Sequence, residues 1–215
     1  MKKILLVFLA ALLLTSCAQK NGYEKHSFFS MDTFAEVRSY SKVDDTIATL
    51  KSAQRVSDSI EGSVSKTLET SFTHRLNTVS DGNIQTDEWF TELLDMSVKL
   101  SEITDGYFNP LSGDLVELWK NCEREQRIPV QDELTERIVN IENTQIQIGG
   151  QFSITKKGDA KLDFGAVGKG YAADKMVDEL KNNGVDVGMV TFVSAVSVFG
   201  ERDFKIAIRT PDTSG

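Results

Sequence analysis

The stretch Leu162-Asp163-Phe164-Gly165-Ala166-Val167-Gly168-Lys169-Gly170-Tyr171-Ala172-Ala173-Asp174 constrains this chain most. A short apolar segment runs into three closely spaced glycines, and an amphipathic run follows. This reads as a strand, a turn and a helix start. Glycines let backbone approach a ligand and take positive φ. A helix N-terminus offers free N–H groups and partial positive charge, which suits a phosphate. Lys169 adds a full charge there. At an effective dielectric near 20, a lysine and a phosphate in contact gain roughly 4 kcal/mol before desolvation. Asp163, at the strand end, is placed to orient a ligand or hold a metal. The order G-x-x-G-x-G is neither the dinucleotide fingerprint nor a P-loop, because Gly170 rather than Ser or Thr follows Lys169. On these residues alone, a tight turn with a solvated lysine reads equally well.

The flanking patterns predict an α+β domain, a helical N-terminal half packed on a mainly antiparallel sheet. Phe28 to Tyr40 reads as strand. Val43, Ile47, Leu50, Ala53, Val56 and Ile60 recur at steps of three and four, the mark of an amphipathic helix. Glu61 to Gly82 is rich in Ser and Thr and reads as a long loop. A second helix is predicted over Thr86–Glu102, capped by Thr86, with Phe90, Leu93, Leu94, Ser97 and Leu100 inward. Thr104-Asp105-Gly106 is a turn. Pro110–Cys122 predicts a third helix with Leu111, Leu115, Leu118 and Trp119 on its apolar face, and Val130–Ile141 a fourth. Ile146 and Ile148, then Gly149-Gly150, then Phe152 and Ile154 signal a hairpin. Lys161–Phe164 reads as a short strand. The helix after the glycines points Ala173, Met176, Val177 and Leu180 inward and ends at Gly184. Val187–Phe199 reads as one central strand, with Phe204, Ile206 and Ile208 pairing beside it.

The first residues are different material. Lys2 and Lys3 precede a wholly apolar Ile4–Leu14, too short to span a bilayer and right for a signal-peptide core. Thr15 and Ser16 before Cys17 match the lipobox pattern of bacterial lipoproteins. That match implies cleavage before Cys17, a diacylglyceryl group on it, and stable anchoring by several acyl chains; an ordinary secretory signal is the alternative. Residues 1–16 are therefore expected to be a signal peptide, 17–27 a tether and 28–215 the domain, lipid-anchored and facing the periplasm or extracellular side. A net charge of -8 and the lack of any basic stripe speak against nucleic acid. After Cys17 only Cys122 remains, expected as a buried structural thiol. Two His and two Cys make a His/Cys zinc site improbable.

Four segments in order resemble the FAD:protein FMN transferase family, the ApbE-like lipoproteins. Met31-Asp32-Thr33 resembles the family's N-terminal methionine motif. Ser65 to Asn77, ending Arg75-Leu76-Asn77, resembles its serine-rich loop. Thr104-Asp105-Gly106-Tyr107-Phe108-Asn109-Pro110, with Gly113 and Leu118-Trp119 after it, resembles the next motif. Leu162–Asp174 resembles its glycine turn, and Phe204–Pro211 a strand beyond. The resemblance implies Mg²⁺-dependent transfer of FMN from FAD to a Thr or Ser hydroxyl of a target flavoprotein, releasing AMP; some relatives hydrolyse FAD to FMN and AMP. Carried over, Met31, Tyr107, Phe108, Asn109, Asp163 and Lys169 would contact FAD, and Ala166 would give Mg²⁺ its backbone carbonyl. No catalytic residue is assigned. The alternative reading of each residue is structural: Met31 and Phe108 as plain core, Asp163 as a turn cap, Tyr107 as surface packing and Lys169 as solvated.

Three departures accompany the resemblance. Thr67 stands where the serine-rich loop has an aromatic. The family's paired glycines fall near Val193-Ser194, where side chains would obstruct a closely approaching ligand. Further strands and acidic and threonine magnesium ligands expected beyond Gly215 have no equivalent, so the sequence reads as a truncated copy, either of an enzyme or of a flavin-binding or inactive scaffold.

Overall fold

The computed structural model describes residues 22–208. Cys17, the signal segment and the end of the predicted tail lie outside them. The chain is α+β. Its described part opens with a hairpin, β1 (Glu24–Ser30) and β2 (Thr33–Ser39), and most of the stretch Phe28–Tyr40 expected as strand material lies in it. The reversal falls at Met31 and Asp32, with φ of 53° and 59°. Two consecutive positive φ values make a turn whose twist matches the flanking strands, one usually built from Asn and Gly.

Helix α1 (Thr46–Val64) follows, its first turn capped by the Asp45 carboxylate, which accepts from the Ala48 N–H at 3.0 Å. The expected Ser/Thr loop is only partly a loop. It holds helix α2 (Phe72–Asn77) and strand β3 (Asp81–Gln85). Ser71 makes α2 possible by capping the His74 N–H at 3.1 Å. Helix α3 (Glu88–Ile103) is capped by Asp87, not Thr86. The Asp87 carboxylate accepts from the Phe90 N–H at 2.9 Å, and the Thr86 hydroxyl instead donates to the Phe152 carbonyl at 2.7 Å. Helices α4 (Gly113–Arg124) and α5 (Gln131–Asn143) come next. Leu118 and Cys122 are buried on α4, but Trp119 faces solvent.

The expected hairpin forms from β4 (Gln145–Ile148) and β5 (Ser153–Lys157), and β3 pairs on the other side of β5. After α6 (Gly168–Asn182), the apolar run is two strands, β6 (Gly188–Phe192) and β7 (Val196–Phe199), not one. Val193 and Ser194 form the turn between them. Residues 201–208 form no strand, so the expected pairing of Phe204, Ile206 and Ile208 is absent there.

The two sheets, β1-β2-β6-β7 and β3-β5-β4, are antiparallel throughout. Helices α1 and α6 pack on each other, α1 against β1 and β2, and α6 against β6 and β7. The core lies between these helices and one face of the larger sheet. Leu50, Ala53 and Ile60 of α1, Ala172, Ala173, Met176 and Leu180 of α6, and Val37 and Val190 of the sheet are fully enclosed. Each large apolar side chain so removed from water contributes about 1.5–3 kcal/mol. Helix α3 adds Phe90, Leu93 and Leu94 from the far side of α1.

Candidate functional site

The glycine turn is pinned at both ends. Residues 161–163 are extended but join no sheet, so the expected strand Lys161–Phe164 is replaced by a segment bonded to loops. Asn77, the last residue of α2, binds it most closely. Its Oδ1 accepts from the Leu162 N–H at 2.7 Å, and its Nδ2 donates to the Leu162 carbonyl at 2.8 Å. On the other side the Asp163 N–H donates to the Pro110 carbonyl, and the Gly113 N–H to the Lys161 carbonyl, both at 2.8 Å. Each buried backbone polar group thus finds a partner without a ladder. Beyond, the ring of Phe164 stands edge-on to Phe90 at 5.7 Å, which fixes the turn to α3.

None of Gly165, Gly168 or Gly170 takes a positive φ, so the expected left-handed role fails. Space is the reason at Gly165 alone, and a Cβ at Gly168 would make only ordinary contact. A Cβ at Gly165 would lie 2.8 Å from Asp163 Oδ1, and one at Gly168 would lie 3.5 Å from Met31 Cε. A Cβ at Gly170 would meet nothing within 4 Å.

Asp163 is the centre of the arrangement. It is 9% exposed. Its Oδ1 accepts from the Gly165 N–H at 2.6 Å, and its Oδ2 holds the Lys66 ammonium at 2.5 Å. It borders two cavities. One, of about 590 Å³, is lined by Met31, Asp163, Ala166, Lys169, Lys66 and the Val193-Ser194 turn, among others. The second, of about 420 Å³, is lined by Tyr107, Phe108, Asn109, Val116, Asp163 and Ala166, among others. All the sequence-predicted contact residues therefore line one or other of two cavities that share Val116, Asp163 and Ala166. Among them Met31 packs against the core, whereas Tyr107 is 97% exposed. The Asn109 side chain also caps its own turn, accepting from the Leu111 N–H at 2.9 Å.

The two positive φ values at Met31 and Asp32 lie on the cavity wall. Backbone strain of this kind concentrates at ligand sites. Val193 and Ser194, expected on the central strand, sit on an exposed turn between β6 and β7 and line this cavity. Oxygen donors on the wall of the first cavity include the Asp163, Asp32 and Glu61 carboxylates and the Ala166 carbonyl, which accepts no backbone hydrogen bond among the described residues. The described residues contain no group of three or more His, Cys, Asp and Glu arranged for a metal.

Sequence reasoning missed Lys66 and Asn77 as site residues. Both lie in the serine-rich segment, but 97 and 85 residues separate them from Asp163 and Leu162. No spacing rule connects such positions.

The ApbE family model matches residues 31–215. This chain belongs to the ApbE family. Residues 1–18 also match a prokaryotic membrane lipoprotein lipid attachment site, which points to membrane anchoring; no helix of the described residues is long and apolar enough to cross a membrane. Among characterised relatives, the FAD:protein FMN transferase of Treponema pallidum is 25% identical over 142 residues, covering 57% of this chain and 39% of that one. The ApbE protein of Thermotoga maritima superposes with a TM-score of 0.74 at 23% identity, over 84% of this chain and 60% of its own. Flavin transferase ApbE from Vibrio cholerae gives 0.75 at 21%, over 88% and 65%. The ApbE fold is thus shared, and the chain spans about two fifths of the curated relative it matches.

Proposed function

We propose that this ApbE-family chain handles FAD, transferring its FMN group to a Thr or Ser hydroxyl of a target flavoprotein. The reading rests on one observation: Met31, Asp163, Ala166 and Lys169 surround one cavity, and Asp163 and Ala166 continue into the cavity of Tyr107, Phe108 and Asn109. Lys169 and the start of α6 attract the diphosphate. The aromatic side chains of Tyr107 and Phe108 offer faces to a ring system.

In the reaction, the acceptor hydroxyl oxygen attacks the FMN-side phosphorus. The bond from that phosphorus to the bridging oxygen breaks, AMP leaves with the electron pair, and the hydroxyl proton passes to solvent. The Asp163 carboxylate and Ala166 carbonyl would give Mg²⁺ two oxygen ligands, too few for a cage by themselves, so that phosphates and water would have to complete its shell. Bound there, Mg²⁺ would neutralise charge on the phosphoryl oxygens. Anchored through Cys17, the enzyme would act on the periplasmic or extracellular side of its membrane.

The test is to incubate the full chain with FAD, Mg²⁺ and a threonine-containing acceptor peptide, and to follow peptide mass and AMP. A flavin-mass gain with matching AMP is expected. AMP without a mass gain identifies an FAD hydrolase instead; neither product refutes catalysis.

A further inference from the structure

Three cavities meet around one ion pair. The central cavity of about 590 Å³ shares Val116, Asp163 and Ala166 with the second. It shares Lys66, Thr67 and Lys120 with a third, of about 810 Å³, which His74, Arg124 and Lys161 also line. Asp163 stands on one seam and Lys66 on the other. The two residues, bridged at 2.5 Å from Nζ to Oδ2, both line the central cavity. A dinucleotide carries a ring system, a diphosphate and a second nucleoside in series. Such a molecule runs from one cavity towards the next and meets this bridge on the way.

We propose that Lys66 is a diphosphate-binding residue, paired with Asp163 as seen here and transferred to the phosphate oxygens when the nucleotide enters. The inference rests on the proposed nucleotide reading of the cavity. The geometry suits an exchange of partners. The Lys66 side chain is 38% exposed, on a stretch whose neighbours Thr67 to Thr70 are also exposed, so its flexible stem can swing without unpacking the core. Asp163 keeps its Gly165 N–H when Lys66 leaves. A diphosphate brings more negative charge than the single carboxylate it replaces, and it arrives beside Lys169 and Lys120 on the same cavity wall. Departure of Lys66 also frees Asp163 Oδ2 to face a cation.

The test compares the full chain with Lys66→Gln and Lys66→Arg. FAD affinity is read by flavin fluorescence, ADP affinity by calorimetry, and melting temperature alongside. Lys66→Gln is expected to weaken FAD and ADP alike by roughly 10- to 100-fold, the span of a charge-assisted hydrogen bond. Lys66→Arg, which keeps the charge, should stay within about threefold. Lys66→Gln binding both ligands as tightly as wild type overturns the inference and leaves the proposed function standing. Loss in Lys66→Arg equal to that in Lys66→Gln also overturns it, since charge would not be what matters. Wild type failing to bind either ligand refutes the nucleotide reading and this inference with it.

Discussion

Asn77→Ala tests whether the candidate site depends on a side chain far from it in sequence. The Asn77 amide holds both backbone groups of Leu162, at 2.7 and 2.8 Å, and Leu162 is fully buried. Alanine leaves a buried N–H and a buried C=O without partners. Each such group costs about 1–3 kcal/mol, so the pair amounts to about 2–4 kcal/mol once partial water access beside the half-buried Asn77 is allowed for. That is a large share of the roughly 5–15 kcal/mol stability of a domain. With a urea m-value of about 2 kcal/mol/M, the unfolding midpoint should fall by about 1–2 M with the slope unchanged. Asn77→Asp should not rescue it: a carboxylate still accepts from the Leu162 N–H but opposes the Leu162 carbonyl. Because Asp163 follows directly, FAD affinity should fall too, under conditions where the variant is still folded. A loss below about 0.5 kcal/mol would refute the reasoning. It would mean that the Pro110 and Gly113 contacts alone hold the segment.

Other perturbations give further expectations. Gly113→Ala puts a Cβ 2.7 Å from the Lys161 carbonyl oxygen and should cost about 1–3 kcal/mol in urea unfolding, whereas Gly170→Ala, with nothing within 4 Å, should stabilise the unliganded protein by up to about 1 kcal/mol. Burial pushes the Lys156 ammonium below its ordinary value, although nearby Asp159, Asp114 and Asp81 pull the other way. The unfolded chain then holds more protons between that lowered value and about 10.4, so stability rises with pH across this alkaline window. Lys156→Met should abolish that rise in denaturation curves. It should also cost about 1–2 kcal/mol at neutral pH, because the Leu76 and Val79 carbonyls lose their donor. At Glu92, burial works to raise the carboxyl, but hydrogen bonds from Lys175 and Tyr171 outweigh it and hold it below its ordinary value. Its contribution is present above the unfolded value near 4.3 and lost as pH falls through the lower folded one. Glu92→Gln should flatten acid denaturation there, by well under 1 kcal/mol, since the group is half in water and screened.

What the sequence revealed and what it hid follow one physical division. Helices α1, α3 and α6 were legible because a single buried stripe writes itself at steps of three and four, as Leu50, Ala53 and Ile60 do. The β4–β5 hairpin was legible because Ile146 and Ile148 alternate before a glycine pair. Turn chemistry without glycine was not. Met31 and Asp32 reverse the chain at positive φ, and Val193 and Ser194 split an unbroken apolar run; Asp32 and Ser194 are turn formers, but each stands beside an apolar residue and neither turn carries the Gly or Asn that marks a reversal most plainly. Such turns are imposed by the register of the strands they join, Phe29 against Phe34 and Thr191 against Val196.

The site divides in the same way. Its local half, Asp163 through Lys169, could be read because the end of an apolar segment, the glycines and the helix start are contiguous. Its remote half could not. Asn77 replaces a neighbouring strand for Leu162, and Lys66 replaces solvent for Asp163, and both come from the one segment whose polar composition reads as loop. A serine- and threonine-rich stretch looks unstructured because its stabilising bonds are side chain to backbone rather than apolar burial. Here those bonds build it: Ser71 caps α2, and the Thr73 hydroxyl donates to the Val64 carbonyl at 2.8 Å. The polar content that hides this segment from hydrophobic periodicity is therefore what lets it brace Leu162 and deliver an ammonium to Asp163. A substitution series that replaced Ser71 and Thr73 by alanine should accordingly damage FAD binding through Lys66 and Asn77, though neither residue lines the cavities around Asp163.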